Sequence, residues 1–181
     1  MGINWDMVFS NEKKQFERMT ETEKFVYFLL LQYNSPYGWG KENPEASDCS
    51  GAVCLALYAA TGLLIRTTAD DLFKRVFTVR NPGGKAIRAA FFITGKDKAH
   101  VDRIAQAGTA THVSGLVDDG VILNSVEPGA RVQALAEFSE WFKARGVSTE
   151  VRGLDRNALA RMAKDGNTRY GIDPELSSYI N

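Results

Sequence analysis

Helical patterns come first along this chain and strand patterns come later. That order constrains the fold most, because segregated helices and strands imply α+β packing rather than alternating βαβ units. Thr20-Glu21-Thr22-Glu23 has the Thr-x-x-Glu form of a capping box. It predicts a helix carrying Phe25, Phe28, Leu29 and Gln32 that ends near Asn34. Residues 35–47 are rich in Gly, Pro and Asn and read as a loop. A second helix is expected over residues 49–61, with Gly62 as its C-terminal cap. Residues 66–88 read as helix or loops with a turn at Asn81-Pro82-Gly83-Gly84. Residues 89–94 read as a short buried strand, and 110–117 and 121–126 as a hairpin around Asp118-Asp119-Gly120. Residues 131–145 read as a loop followed by a helix, and 150–154 as a further strand. Residues 155–181 form a tail with one helical stretch and a turn-rich end.

Charge excludes some classes of function. Lys plus Arg (22) equals Asp plus Glu (22), which gives no basic excess for nucleic acid and no polybasic patch for a membrane surface. The longest apolar run, residues 25–31, is too short to span a bilayer. The first residues do not read as a secretory signal, and Met1-Gly2 lacks the Ser or Thr that myristoylation needs at position six. The two cysteines, Cys49 and Cys54, lie five apart on one predicted helix and point in divergent directions, so both are read as free thiols.

Cys49 opens that helix, in Ser47-Asp48-Cys49-Ser50-Gly51. A helix N-terminus offers unpaired N–H groups and the positive end of the dipole, and both favour thiolate over thiol. The expectation is a lowered thiol pKa and an attacking sulfur, with the same N–H groups helping to hold an oxyanion. A buried core cysteine is the alternative for the same residue.

Several separated motifs then agree in order. Tyr37-Gly38-Trp39-Gly40, Asp48-Cys49-Ser50-Gly51, Gly62 and Arg66-Thr67-Thr68 together resemble the signature of NlpC-type cell-wall cysteine peptidases, over residues 21–127. The resemblance implies a papain-like α+β fold, with the nucleophile at a helix N-terminus packed on an antiparallel sheet. Residues 1–154 would form the catalytic domain, with residues 155–181 a tail packed on it. It implies hydrolysis of bacterial cell-wall peptides between γ-D-glutamyl and a diamino acid, without a cofactor or metal. Cys49 is the implied nucleophile, His112 the base and Asn124 the third member. Tyr37 is implied as an oxyanion donor, or else as an aromatic packed on the core. Asp48 and Ser50 match positions that hold a free amine of the substrate; Asp48 also suits a helix cap. Arg66 is placed with them on the substrate side. Trp39 is read as packing.

His100 competes with His112, since both precede a valine. His112 is favoured because a hairpin follows it, whereas none is expected after His100. Strand geometry bears on the choice independently. A three-residue loop, Asp118 to Gly120, sets Ser114 opposite Asn124 and makes His112 and Asn124 diagonal neighbours on one face.

The departures from the signature fall on the groove. Lys85-Ala86-Ile87-Arg88 stands where Pro-Gly-Asp is usual, and about twenty residues separate the strand at 89–94 from His112. A lone domain of this kind without an export signal suggests a phage lysin or tail component acting on the wall, delivered by the particle or released on lysis; a mature exported form is the alternative. Rival readings are an amidase or acyl transferase of the same fold, and a non-catalytic tail or wall-binding module. A metal site built from Cys49, Cys54, His100 and His112 has the wrong spacing for zinc.

Overall fold

The computed structural model describes residues 5–43, 45–95, 98–100 and 103–165. Two helices open it, α1 (Trp5–Arg18) and α2 (Glu21–Leu31). The capping box forms in full. The Glu23 N–H donates to Thr20 Oγ1 at 3.2 Å, and the Thr20 N–H donates to Glu23 Oε2 at 2.7 Å. Those bonds satisfy otherwise orphaned donors and set the start of α2. Phe25 and Leu29, four apart and fully buried, then point one face of α2 inward.

Two short strands, β1 (Glu42–Asn43) and β2 (Ala46–Ser47), lead into α3 (Cys49–Thr61). Gly62 ends α3 in the left-handed conformation (φ 72°), which glycine adopts without a Cβ clash. Helical turns follow at α4 (Ala69–Asp71), continued by wider turns over Leu72–Val76, before β3 (Val79–Arg80).

The later strands build one six-stranded antiparallel sheet. They are β3 with β4 (Arg88–Thr94), β7 (Ala110–Asp118), β8 (Val121–Val126), β9 (Gly129–Ala134) and β10 (Val147–Gly153), in the order β3-β10-β4-β7-β8-β9. Between β4 and β7 lies a separate hairpin, β5 (Lys98–His100) with β6 (Arg103–Ala105). Helix α5 (Leu135–Lys143) links β9 to β10, and α6 (Arg156–Asp165) closes the described chain.

Period-two alternation divides the sheet between two cores. Ala89, Phe91, Val113 and Leu123 face α2 and α3, where they meet Leu29, Val53 and Leu57. Ala90, Phe92, Leu116 and Ile122 face the other way, onto Phe138 and Phe142 of α5. Ala158, Leu159 and Met162 carry α6 into the first core, and Arg156 ties its start to Glu21 on α2.

The α+β reading holds, with corrections in detail. Residues 131–145 were expected as a loop followed by a helix; residues 131–134 belong to β9 (Gly129–Ala134) instead. Its alternation is hard to see because Val132, 39% exposed, points outward from an edge strand. A hairpin does follow His100, but it stands apart from the main sheet.

Candidate active site

The site begins at the N-terminus of α3. Asp48 caps the helix, and each carboxylate oxygen accepts two hydrogen bonds. Oδ1 accepts from the Gly51 N–H (2.7 Å) and from Ser50 Oγ (3.0 Å). Oδ2 accepts from the Gly40 N–H (2.9 Å) and from an Arg66 Nη (2.6 Å). Arg66 also donates to Ser50 Oγ at 2.9 Å and lies 3.7 Å from Glu42. A capping carboxylate at this place costs little, since it meets the positive helix end and a guanidinium together. Arg66 was expected on the substrate side. Its side chain is fully enclosed and bonded to Asp48 and Ser50.

Cys49, half-buried, is the first residue of α3. The N–H groups of Val113 and Ser50 lie in hydrogen-bonding position to its sulfur. Val113 follows His112 on β7, so the strand that carries the imidazole runs beside the thiol. A lowered thiol pKa was expected here, and the structure gives the opposite. Burial pushes the Cys49 thiol up to about 12, with the Asp48 carboxylate adding to the rise. The two N–H groups and Arg66 pull downward without reversing it. Desolvation and an adjacent anion both favour the neutral thiol.

Tyr37 reaches the same place. Its N–H donates to the Pro128 carbonyl at 3.1 Å, and its backbone bridges to Ser47. Burial, then the neighbouring Cys49, Asp48 and Glu127, raise its hydroxyl further above its ordinary range. The phenol therefore stays protonated and remains a donor next to the sulfur.

On the sheet, the β7–β8 turn differs from expectation and reaches the same register. Asp118 pairs with Val121 across a two-residue loop, Asp119-Gly120, with Gly120 at φ 72°. The register then shifts by one at Val117, so that Leu116 pairs with Ile122 and Gly115 with Leu123. A two-residue loop alone would set His112 and Asn124 on opposite faces; the extra residue restores the shared face. His112 Nε2 lies 2.6 Å from Asn124 Oδ1. Asn124 is fully buried and His112 9% exposed.

Residues to which the sequence reading gave no role in the site complete the surroundings. Ser114 Oγ donates to Asn124 Oδ1 at 3.1 Å. Its position two after His112 was the available signal. Phe92, Phe138 and Phe142 pack around the imidazole, with ring centroids 5.4, 5.6 and 6.0 Å away. Ser125 Oγ donates to the Ser47 carbonyl at 2.8 Å, which fastens the strand of Asn124 to the chain just before Asp48. Trp39, read as packing, is 71% exposed. Cys54 is fully buried in the first core. His100 lies on the detached hairpin. Among the described residues no group of three His, Cys, Asp or Glu side chains is placed to hold a metal, and no helix is long and apolar enough to cross a membrane.

The backbone that carries these residues superposes on solved structures. A protein named NlpC1 from Trichomonas vaginalis superposes with a TM-score of 0.52, at 16% identity, over 75% of this chain and 44% of that one. The P60 domain of an antigen from M. avium paratuberculosis superposes at 0.52 and 13% identity, over 82% of this chain and 99% of that one. This is the NlpC/P60 fold. The peptidoglycan hydrolase RipB of Mycobacterium tuberculosis has it too, with a TM-score of 0.51 and 18% identity, over 75% of this chain and 65% of that one. The chain thus spans less than half the length of the Trichomonas protein and nearly all of the P60 domain. No family model and no curated protein matches the chain.

Proposed function

We propose that the chain is a cysteine peptidase that cleaves peptidoglycan stem peptides, at the bond between γ-D-glutamyl and a diamino acid. The observation that supports it most is the 2.6 Å pair of His112 and Asn124 on the strands beside Cys49. With Nε2–H given to the Asn124 carbonyl, the imidazole lone pair lies on Nδ1. Nδ1 takes the Cys49 proton as sulfur attacks the scissile carbonyl carbon. The oxyanion accepts from N–H groups at the start of α3 and from the Tyr37 hydroxyl. The tetrahedral intermediate collapses to a thioester on Cys49, and the leaving amine takes the proton back from His112. Water, deprotonated by the same imidazole, then hydrolyses the thioester and regenerates the thiol.

The raised thiol pKa fits this sequence of steps. A sulfur that is mostly protonated at rest needs a base at the moment of attack. Asp48 and Ser50 are 7% and 5% exposed, and a peptide ammonium suits the Asp48 charge. Arg66 acts through Asp48. The test is the mass of products released from purified peptidoglycan. Fragments ending at γ-D-glutamyl support the proposal. Whole stem peptides freed from sugar would make the enzyme an amidase and refute it.

A further inference from the structure

The imidazole in this site depends on a chain of contacts that starts on the outer strand β9. Arg131 Nε lies 3.0 Å from Gln133 Oε1. Asn124 Nδ2 lies 3.4 Å from the same Gln133 oxygen. Asn124 Oδ1 then faces His112 Nε2. The β8–β9 register sets this up: Asn124 pairs with Arg131 and Ile122 with Gln133, so Gln133 is a diagonal neighbour of Asn124 on the same face.

An amide side chain has a donating and an accepting end, and either end fits the same space. A guanidinium has donors only and stays protonated. Arg131 therefore requires the oxygen end of Gln133. That oxygen requires the NH₂ end of Asn124. The Asn124 oxygen is then left to face the ring, and it requires a proton on Nε2. The Ser114 hydroxyl lies 3.1 Å from the same Asn124 oxygen and 3.3 Å from Nε2, and it donates to that oxygen when Nε2 carries the proton.

We propose that Gln133, held by Arg131, is a positioning residue that fixes the tautomer of His112 and so keeps the basic lone pair on Nδ1. The proposal rests on the Cys-His-Asn reading above for its effect on rate, but the tautomer itself is measured without substrate. Turning Asn124 over would place its NH₂ against Nε2, move the proton to Nδ1 and remove the base.

The experiment is a long-range ¹H–¹⁵N spectrum of histidine-labelled protein. Two histidines give two spin systems, and H100Q assigns them. The wild-type chain is expected to show His112 protonated at Nε2 in its neutral form. Q133K, which offers Asn124 a donor, is expected to move the proton to Nδ1 and to lower kcat on purified peptidoglycan fragments by about tenfold or more with little change in KM. Q133L, which removes the acceptor without adding charge, is expected to leave a mixture of tautomers and serves where Q133K does not fold. Q133E keeps an acceptor for both partners and is expected to retain the Nε2 proton and most of the activity. An unchanged Nε2 tautomer in folded Q133K or Q133L overturns the proposal. A C49A variant that still degrades wall would instead overturn the assigned function, and leaves the tautomer result standing.

Discussion

The Asp48 carboxylate and the Arg66 guanidinium meet at 2.6 Å beneath the nucleophile, with the Arg66 side chain 1% exposed. Removing one partner of such a pair leaves the other charge buried and uncompensated. R66M, close in volume, is expected to cost about 3–5 kcal/mol of stability. Asp48 and Glu42 would be left facing each other without the cation. The measurement is the urea midpoint of the variant against the parent. A change below about 1 kcal/mol would show that the cluster relaxes or admits water.

Thiol reactivity separates the two cysteines and identifies the base. Burial and Asp48 push Cys49 up to about 12, so the helix end alone does not make a thiolate near neutrality. Iodoacetamide labelling of Cys49 at pH 7 is expected to depend on His112 and to fall by about tenfold or more in H112Q. In that variant the rate should keep rising beyond pH 9 without a plateau. Cys54, fully buried, is expected to label only on unfolding. Equal labelling of Cys49 in parent and H112Q would mean that the imidazole does not act on the sulfur.

The same buried thiols make stability fall in alkali. Burial raises both Cys49 and Cys54 above the ordinary thiol value of about 8.5. A group that holds its proton more tightly when folded contributes stability that is complete below the unfolded pKa. That contribution is lost as pH rises through the folded one. Thermal midpoints are therefore expected to decline from about pH 8.5 upward. C54A should lower stability at pH 7 through a cavity, yet show a shallower decline between pH 8 and 10. An identical slope in C54A would assign the decline to other groups.

Gly51 is required by a close approach. A Cβ there would sit 2.1 Å from the Lys41 carbonyl oxygen, which also accepts from the Asp48 N–H. That oxygen is backbone and has little room to give. G51A is expected to displace residues 38–41, cost about 1–3 kcal/mol, and lower wall hydrolysis more than stability alone explains. Wild-type activity in a folded G51A variant would show that this loop is not part of the site.

How much was readable in the sequence differs residue by residue. The capping box at Thr20 and the Asp48–Gly62 limits of α3 are local signals, and local physics reproduces them. The meeting of His112 with Asn124 was readable from register, although the expected loop was three residues long. The molecule uses two residues and a shift at Val117, and sequence alone does not distinguish the two. The burial of Arg66 against Asp48 was not legible, because a motif shows that an arginine is near the site but not which way it faces. The thiol pKa was misjudged because the helix end is visible in sequence, whereas burial is not. Gln133 escaped notice because β9 read as a loop, so its diagonal contact with Asn124 had no register from which to be inferred.

The central claim is that Cys49 attacks a cell-wall amide. The most direct measurement is release of new amine and carboxyl ends from purified peptidoglycan by the wild-type chain and by C49A, at equal folded concentration. Release by the wild-type chain, with loss to the background rate in C49A, is the predicted result. Equal release by both would contradict the account, whatever the geometry around the thiol.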